Sequence, residues 1–146
     1  MLPIRQNNPL APPAYNGLSS IDKAYQDKDF CKLAVYNLTA NQILTNQSVP
    51  LDKDADFILS AIEIQNSLGT GAPFSIRFQD STGYYLSDNY IGSFAFNNSY
   101  GLGSPYVILP SMHFPAGSAI LVDIQDLSGS TNGPINVLFR GQKRYY

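Results

Sequence analysis

Short apolar segments, separated by turn-forming residues, set the first constraint on this chain. FSIRFQD (Phe74–Asp80), PYVILP (Pro105–Pro110), AILVDIQD (Ala119–Asp126) and PINVLFRG (Pro134–Gly141) are each the length of one strand. Between them lie STG, NNSYGLGS, FPAGS and LSGSTNG, all rich in residues that reverse a chain cheaply. Side chains alternate between the faces of a strand, so a strand with one buried face reads with period two. Phe74, Ile76 and Phe78 point one way, against Ser75, Arg77 and Gln79. Ile120, Val122 and Ile124 oppose Leu121, Asp123 and Gln125, and Ile135, Val137 and Phe139 oppose Asn136, Leu138 and Arg140. No long segment has helical spacing. The pattern predicts an all-β protein, a β-sandwich or jelly roll, with Ile76, Phe78, Val122, Ile124, Val137 and Phe139 in its core.

The amino-terminal half is less regular. CKLAVYNLTA (Cys31–Ala40) carries Leu33 and Val35 on one face and Ala34, Tyr36 and Leu38 on the other, so a strand covered on both sides is expected. In FILSAIEIQN (Phe57–Asn66), Ile58, Ile62 and Ile64 share a face, while Phe57, Leu59 and Ala61 occupy the opposite one. That second face needs the arm or a neighbouring subunit as cover, and homo-oligomers are expected for this reason. Ser19–Phe30, with the densest mixed charge, reads as a short helical turn or a loop. Gly92–Pro105 is rich in Gly and Asn and reads as a displayed loop, with Phe94, Phe96 and Tyr100 as partner-binding anchors.

Residues 1–20 read as an extended arm on a domain of residues 21–146. Pro3, Pro9, Pro12 and Pro13 disfavour helix and central sheet, whereas Leu2, Ile4, Leu10 and Tyr15 are too apolar for a solvating tail. Such an arm is either a strap over its own sheets or an attachment lent to a neighbour, with those four residues as anchors. The start of the sequence reads as neither a secretion signal nor a membrane span.

At 146 residues the chain is long enough to bury a real core. The formal charge of −2 supplies no overall drive toward nucleic acid or anionic lipid. One cysteine, Cys31, leaves no intrachain disulfide. The asparagines in NLT, NQS and NNS read as chance matches to the glycosylation pattern.

Reactive chemistry is thinly represented. Asp52, Asp54, Asp56 and Glu63 fall at positions one, three, five and twelve of a calcium-binding loop, but Phe57 stands where its turn needs glycine. The run therefore reads as solvated punctuation before a strand, with no metal site. Cys31 or Ser111 or Ser118, with His113 and Asp123, lack any nucleophile-elbow pattern. Glu63 is the only glutamate, which leaves no carboxylate pair of the glycosidase kind. No cofactor is expected, and no catalytic residue. Arg140, Lys143 and Arg144 with Tyr145 and Tyr146 form a small basic-aromatic tail suited to a phosphate or to an acidic neighbour.

The order Phe74-Ser-Ile-Arg-Phe-Gln-Asp80, Gly83, Leu86, Leu109-Pro110, Phe114, Ser118-Ala-Ile-Leu-Val-Asp123 and Val137-Leu-Phe-Arg-Gly-Gln-Lys143 resembles small structural proteins of tailed bacteriophages, notably jelly-roll decoration or cement proteins of the capsid. The likeness runs from about residue 56 to residue 143 and excludes the arm. It is a pattern of strand ends and turns. The resemblance implies a non-enzymatic virion protein that oligomerises and clamps major capsid subunits, or another virion structural protein, with no membrane or nucleic-acid partner. The alternative from a different class is a carbohydrate-binding module or a receptor-binding fibre or tail component. There Tyr84, Tyr85, Tyr90 and Tyr100 would stack on sugar rings, and Asp80 and Asp88 would bind hydroxyls.

Overall fold

The computed structural model describes residues 25–66, 72–96 and 106–146. They form strands β1 (Gln26–Leu38), β2 (Ile43–Pro50), β3 (Asp56–Asn66), β4 (Phe74–Gln79), β5 (Ile91–Gly92), β6 (Tyr106–Phe114), β7 (Ala119–Asp126) and β8 (Asn132–Tyr145), with one 3₁₀ turn at Ser93–Ala95. Two four-stranded antiparallel sheets result. The first has the order β1-β8-β3-β6 and the second β2-β7-β4-β5. Their inner faces meet in one apolar core, and the arrangement is sandwich-like.

The six core positions expected from period two are each no more than 1% exposed. Phe78 of the second sheet and Phe139 of the first meet edge to face with centroids 5.6 Å apart, so the longest side chains bridge the sheets. Two segments differ from expectation at their ends. Gln26–Phe30 belongs to β1 and is neither loop nor helical turn, because its partner is the carboxyl-terminal tail. Asp27 lies opposite Arg144 and accepts from its Nε at 2.8 Å and its Nη2 at 2.9 Å. A charge-dense sequence thus becomes a strand by pairing with complementary charge. Ile43–Pro50, which period two alone does not single out, forms β2 against β7 through a register irregularity between Leu44 and Gln47.

The face assignment of β3 is overturned. Phe57 and Leu59 are 2% and 0% exposed, and so are Ile62 and Ile64 at 1% and 4%. Leu59 pairs with Gly141 but Ala61 with Arg140, so Ser60 is an extra residue relative to β8. This bulge reverses the parity of the strand halfway along. Both apolar halves then turn toward the same core. Phe57, packed against Phe30 at 6.0 Å, needs no neighbouring subunit to cover it. Opposite the bulge the backbones approach so closely that a Cβ on Gly141 would overlap the carbonyl oxygen of Ile58 and lie 2.8 Å from its carbon.

Asp126 ties one end of the sandwich together. Its buried carboxylate accepts from the backbone N–H of Asn41, Ser128 and Gly129, from Ser128 Oγ and from Asn132 Nδ2, all within 3.0 Å. Burial alone would push its pKa up, but these donors outweigh that effect and hold it well below the usual carboxylate range. A carboxyl with a lowered folded-state pKa stabilises the fold above its unfolded pKa of about 4, and that stability is lost as pH falls through the folded value. Asp126→Ala is expected to cost on the order of 3 kcal/mol at pH 7. Urea melts should show the gap between variant and wild type narrowing at pH 2. An equal gap at both pH values would mean that the carboxylate charge is not what holds the turns.

Candidate binding surfaces

The residues weighed above as a catalytic set, and set aside for want of a motif, are separated by the fold. Cys31 lies on β1 and His113 on β6, the two outer strands of the first sheet. Three strand spacings put them at least about 14 Å apart. Asp123 belongs to the second sheet, where it holds Arg77 and the backbone of Asn46. Ser118 Oγ donates to the Pro115 carbonyl within its own turn. His113 Nε2 instead meets Asp56 Oδ2 at 2.6 Å, and the other Asp56 oxygen accepts from Ala116 N–H at 2.8 Å. The His113 contact foremost holds the Asp56 carboxyl below its ordinary pKa. The pair fastens the β6–β7 turn to the start of β3.

The acidic run and the basic tail answer one another. Lys143 Nζ reaches Asp52 at 2.7 Å and Asp54 at 3.0 Å, and Tyr145 donates its hydroxyl to Asp54 at 3.0 Å. Lys143 lowers the pKa of both carboxyls, chiefly through these hydrogen bonds. Its ammonium also stands 4.4 Å from the centre of the Phe30 ring, above the end of the core. Arg140 pairs with Glu63 across β8 and β3. The tail, read as suited to a phosphate or to an acidic neighbour, meets acids within its own chain, because β8 continues to Tyr145 and runs beside them.

A second cluster covers the outer face of β4. The Arg77 guanidinium lies 3.9 Å from the Tyr85 ring centre and 4.8 Å from that of Tyr90, and Nη2 donates to the buried Asp123 carboxylate at 3.1 Å. One cation therefore clamps the segment after the β4 turn onto the sheet. Asp80, a candidate for binding sugar hydroxyls, is occupied by that turn. It accepts from the N–H of Thr82 and Tyr84 and from Thr82 Oγ. Tyr84 remains 66% exposed.

The partner-binding candidates divide. Phe94 is 85% exposed. Phe96 is 1% exposed and packs edge to face on Phe78 at 6.3 Å, so it is a core residue and not a displayed anchor. The 3₁₀ turn Ser93–Ala95 causes the split: it sends successive aromatic rings to opposite sides. Leu2, Ile4, Leu10, Tyr15 and Tyr100 lie outside the described residues. Sequence reasoning passed over the exposed side of the first sheet. Leu33 and Val35 on β1 are 55% and 50% exposed, and Val107 and Leu109 on β6 are also open to solvent. The described residues do not supply the cover expected on the second face of β1. The signal was present in the sequence as two apolar faces on one strand.

Beside β6, Ile62, Phe78, Leu86, Ile91, Tyr106 and Met112 help line an apolar pocket of about 190 Å³. Among the described residues no group of three or more metal-ligating side chains comes together, and no helix is long and apolar enough to cross a membrane. Comparison of the chain with family models, with curated proteins and with solved structures gives no match.

Proposed function

We propose that this chain is a non-enzymatic structural protein of a virion, a β jelly roll that docks on a tailed-phage capsid lattice as a decoration or cement protein. The observation that carries the reading is the strand order β1-β8-β3-β6 against β2-β7-β4-β5. Eight antiparallel strands folded as two Greek keys give this order, and the architecture serves capsid and lectin domains alike. The mutual pairing of basic and acidic side chains favours a scaffold over a reaction centre: Arg77, Arg140, Lys143 and Arg144 each have an acidic partner, and His113 meets Asp56. Docking would use Phe94 and the arm residues Leu2, Ile4, Leu10 and Tyr15 on a major capsid protein or another virion structural protein. Repetition over a lattice would turn modest single contacts into lasting attachment.

The test is to purify particles by density gradient from cultures that carry the gene and to quantify this chain in them by mass spectrometry. Chain present in fixed ratio to the shell protein supports the reading. Its absence from particles, with saturable binding of the purified chain on a glycan array, would replace it with the carbohydrate-binding alternative. Deleting residues 2–15 is expected to abolish rebinding to stripped particles while leaving the thermal melt unchanged. A truncated chain that fails to fold would make the arm an internal strap.

A further inference from the structure

We propose that β1 is a self-association edge, through which two copies of the chain join their first sheets antiparallel about a twofold axis at Leu33. The inference deepens the functional reading by naming the contact through which copies would join. Among the described residues the two sheets have four edge strands, β1, β6, β2 and β5. Open edges invite pairing with other chains, and proteins blunt them with prolines, irregular register, short length or charged side chains. Three of the four are blunted by proline, register or length. β5 has only two residues. β6 carries Pro110 and loses register with β3 between Met112 and Val107. β2 has Pro50, a register break between Leu44 and Gln47, and a left-handed Asn46 at φ 53°. Over its first eleven residues β1 is blunted by charge alone, at Asp27, Lys28, Asp29 and Lys32, and Leu33–Tyr36 carries no charge. It contains no proline, and its pairing with β8 runs unbroken from Gln26 to Tyr36.

The side chains of β1 choose the register. Antiparallel self-pairing keeps each face continuous only when the paired residue numbers sum to an even value. An axis at Lys32 sets two ammonium groups opposite each other, which opposes pairing. An axis at Cys31 sets Asp29 against Leu33 and Asp27 against Val35. An axis at Leu33 sets Leu33 against its own copy, Cys31 against Val35, Lys32 against Ala34 and Asp29 against Asn37, with no like charges opposed. It also keeps a longer overlap, residues 28–38, than an axis at Ala34. Leu33 and Val35, half exposed in one copy, then gain apolar cross-strand neighbours and extend a stripe that already includes Leu138, the β8 partner of Leu33.

Cys31, exposed on this face, is a built-in probe. With the axis at Leu33, Val35→Cys places a thiol opposite the native Cys31 of the second copy, at the separation of directly paired strand residues, about 4.5–5.5 Å, where a disulfide closes without backbone movement. Within one copy the same two thiols are four residues apart along a strand, about 13 Å, and cannot join. The full-length Val35→Cys chain should therefore become a covalent dimer on mild oxidation. Val35→Cys with Cys31→Ser, and Asn37→Cys, should cross-link at least tenfold more slowly. Sedimentation equilibrium supplies the second measurement. Leu33→Lys should weaken dimerisation at least tenfold, and mixing the Leu33→Lys chain with a Leu33→Glu chain should restore it as a heterodimer. A chain that stays monomeric at several hundred micromolar overturns the proposal. A dimer indifferent to Leu33→Lys overturns it too, by placing the interface elsewhere. Neither outcome touches the particle test, which asks whether the chain resides in virions at all.

Discussion

Gly141→Ala is expected to destabilise the protein by at least about 3 kcal/mol, the upper range for forcing extra atoms into a packed interior. Gly141 lies within β8 and is not among the glycines with positive φ, so the cost does not come from conformational freedom; it comes from space. The added methyl would overlap the Ile58 carbonyl oxygen, a backbone atom that cannot swing aside as a side chain would. Relief requires β3 and β8 to part at the Ser60 bulge, where Ser60 Oγ donates to the Arg140 carbonyl at 3.2 Å. The bulge in turn keeps both Leu59 and Ile62 facing the core. Damage at one glycine should therefore spread to both halves of β3. Chemical denaturation with far-ultraviolet circular dichroism measures the loss. A Gly141→Ala chain that melts within about 0.5 kcal/mol of wild type would show that the two backbones are farther apart than described.

Phe96→Ala should cost about 3–5 kcal/mol, as expected for a fully buried aromatic side chain. Phe78→Ala should cost a similar amount, and the two losses should not add, because the rings touch. Phe94→Ser, two residues away, should change stability by less than about 1 kcal/mol, as for an exposed site. Thermal and urea melts of the three variants make the comparison direct. Equal losses for Phe94→Ser and Phe96→Ala would move Phe94 into the core and remove it from any docking surface.

Phe94 and Phe96 also show how far local pattern reaches. Both lie in a stretch of Gly and Asn that reads as loop, and identical chemistry at i and i+2 would place them on one side of a strand. The intervening 3₁₀ turn breaks that periodicity. Its cause is a tertiary contact, the seating of Phe96 between Phe78 and Tyr106, whose ring centres lie 6.3 Å and 5.2 Å away. Nothing within a few residues of Phe96 announces it. The basic tail is a similar case. Its charge is plain in the sequence, but its acidic partners Asp27, Asp52, Asp54 and Glu63 are roughly eighty to one hundred and twenty residues away.

Sequence alone determined the β class and six fully buried core positions, because alternation along β4, β7 and β8 is a local property that a single buried face imposes on each strand. It also marked β1 as apolar on both sides. Tertiary structure decided which of those patterns to trust. In β3 one extra residue at Ser60 reversed the alternation and brought Phe57, Leu59, Ile62 and Ile64 to a common core, so a face that called for a neighbour was covered from within. In β1 the alternation stayed intact, and Leu33 and Val35 remained open to solvent. Both strands read alike one residue at a time. Parity after a bulge, and position at the edge or centre of a sheet, depend on the partner strand, and that partner is chosen by packing over the whole chain.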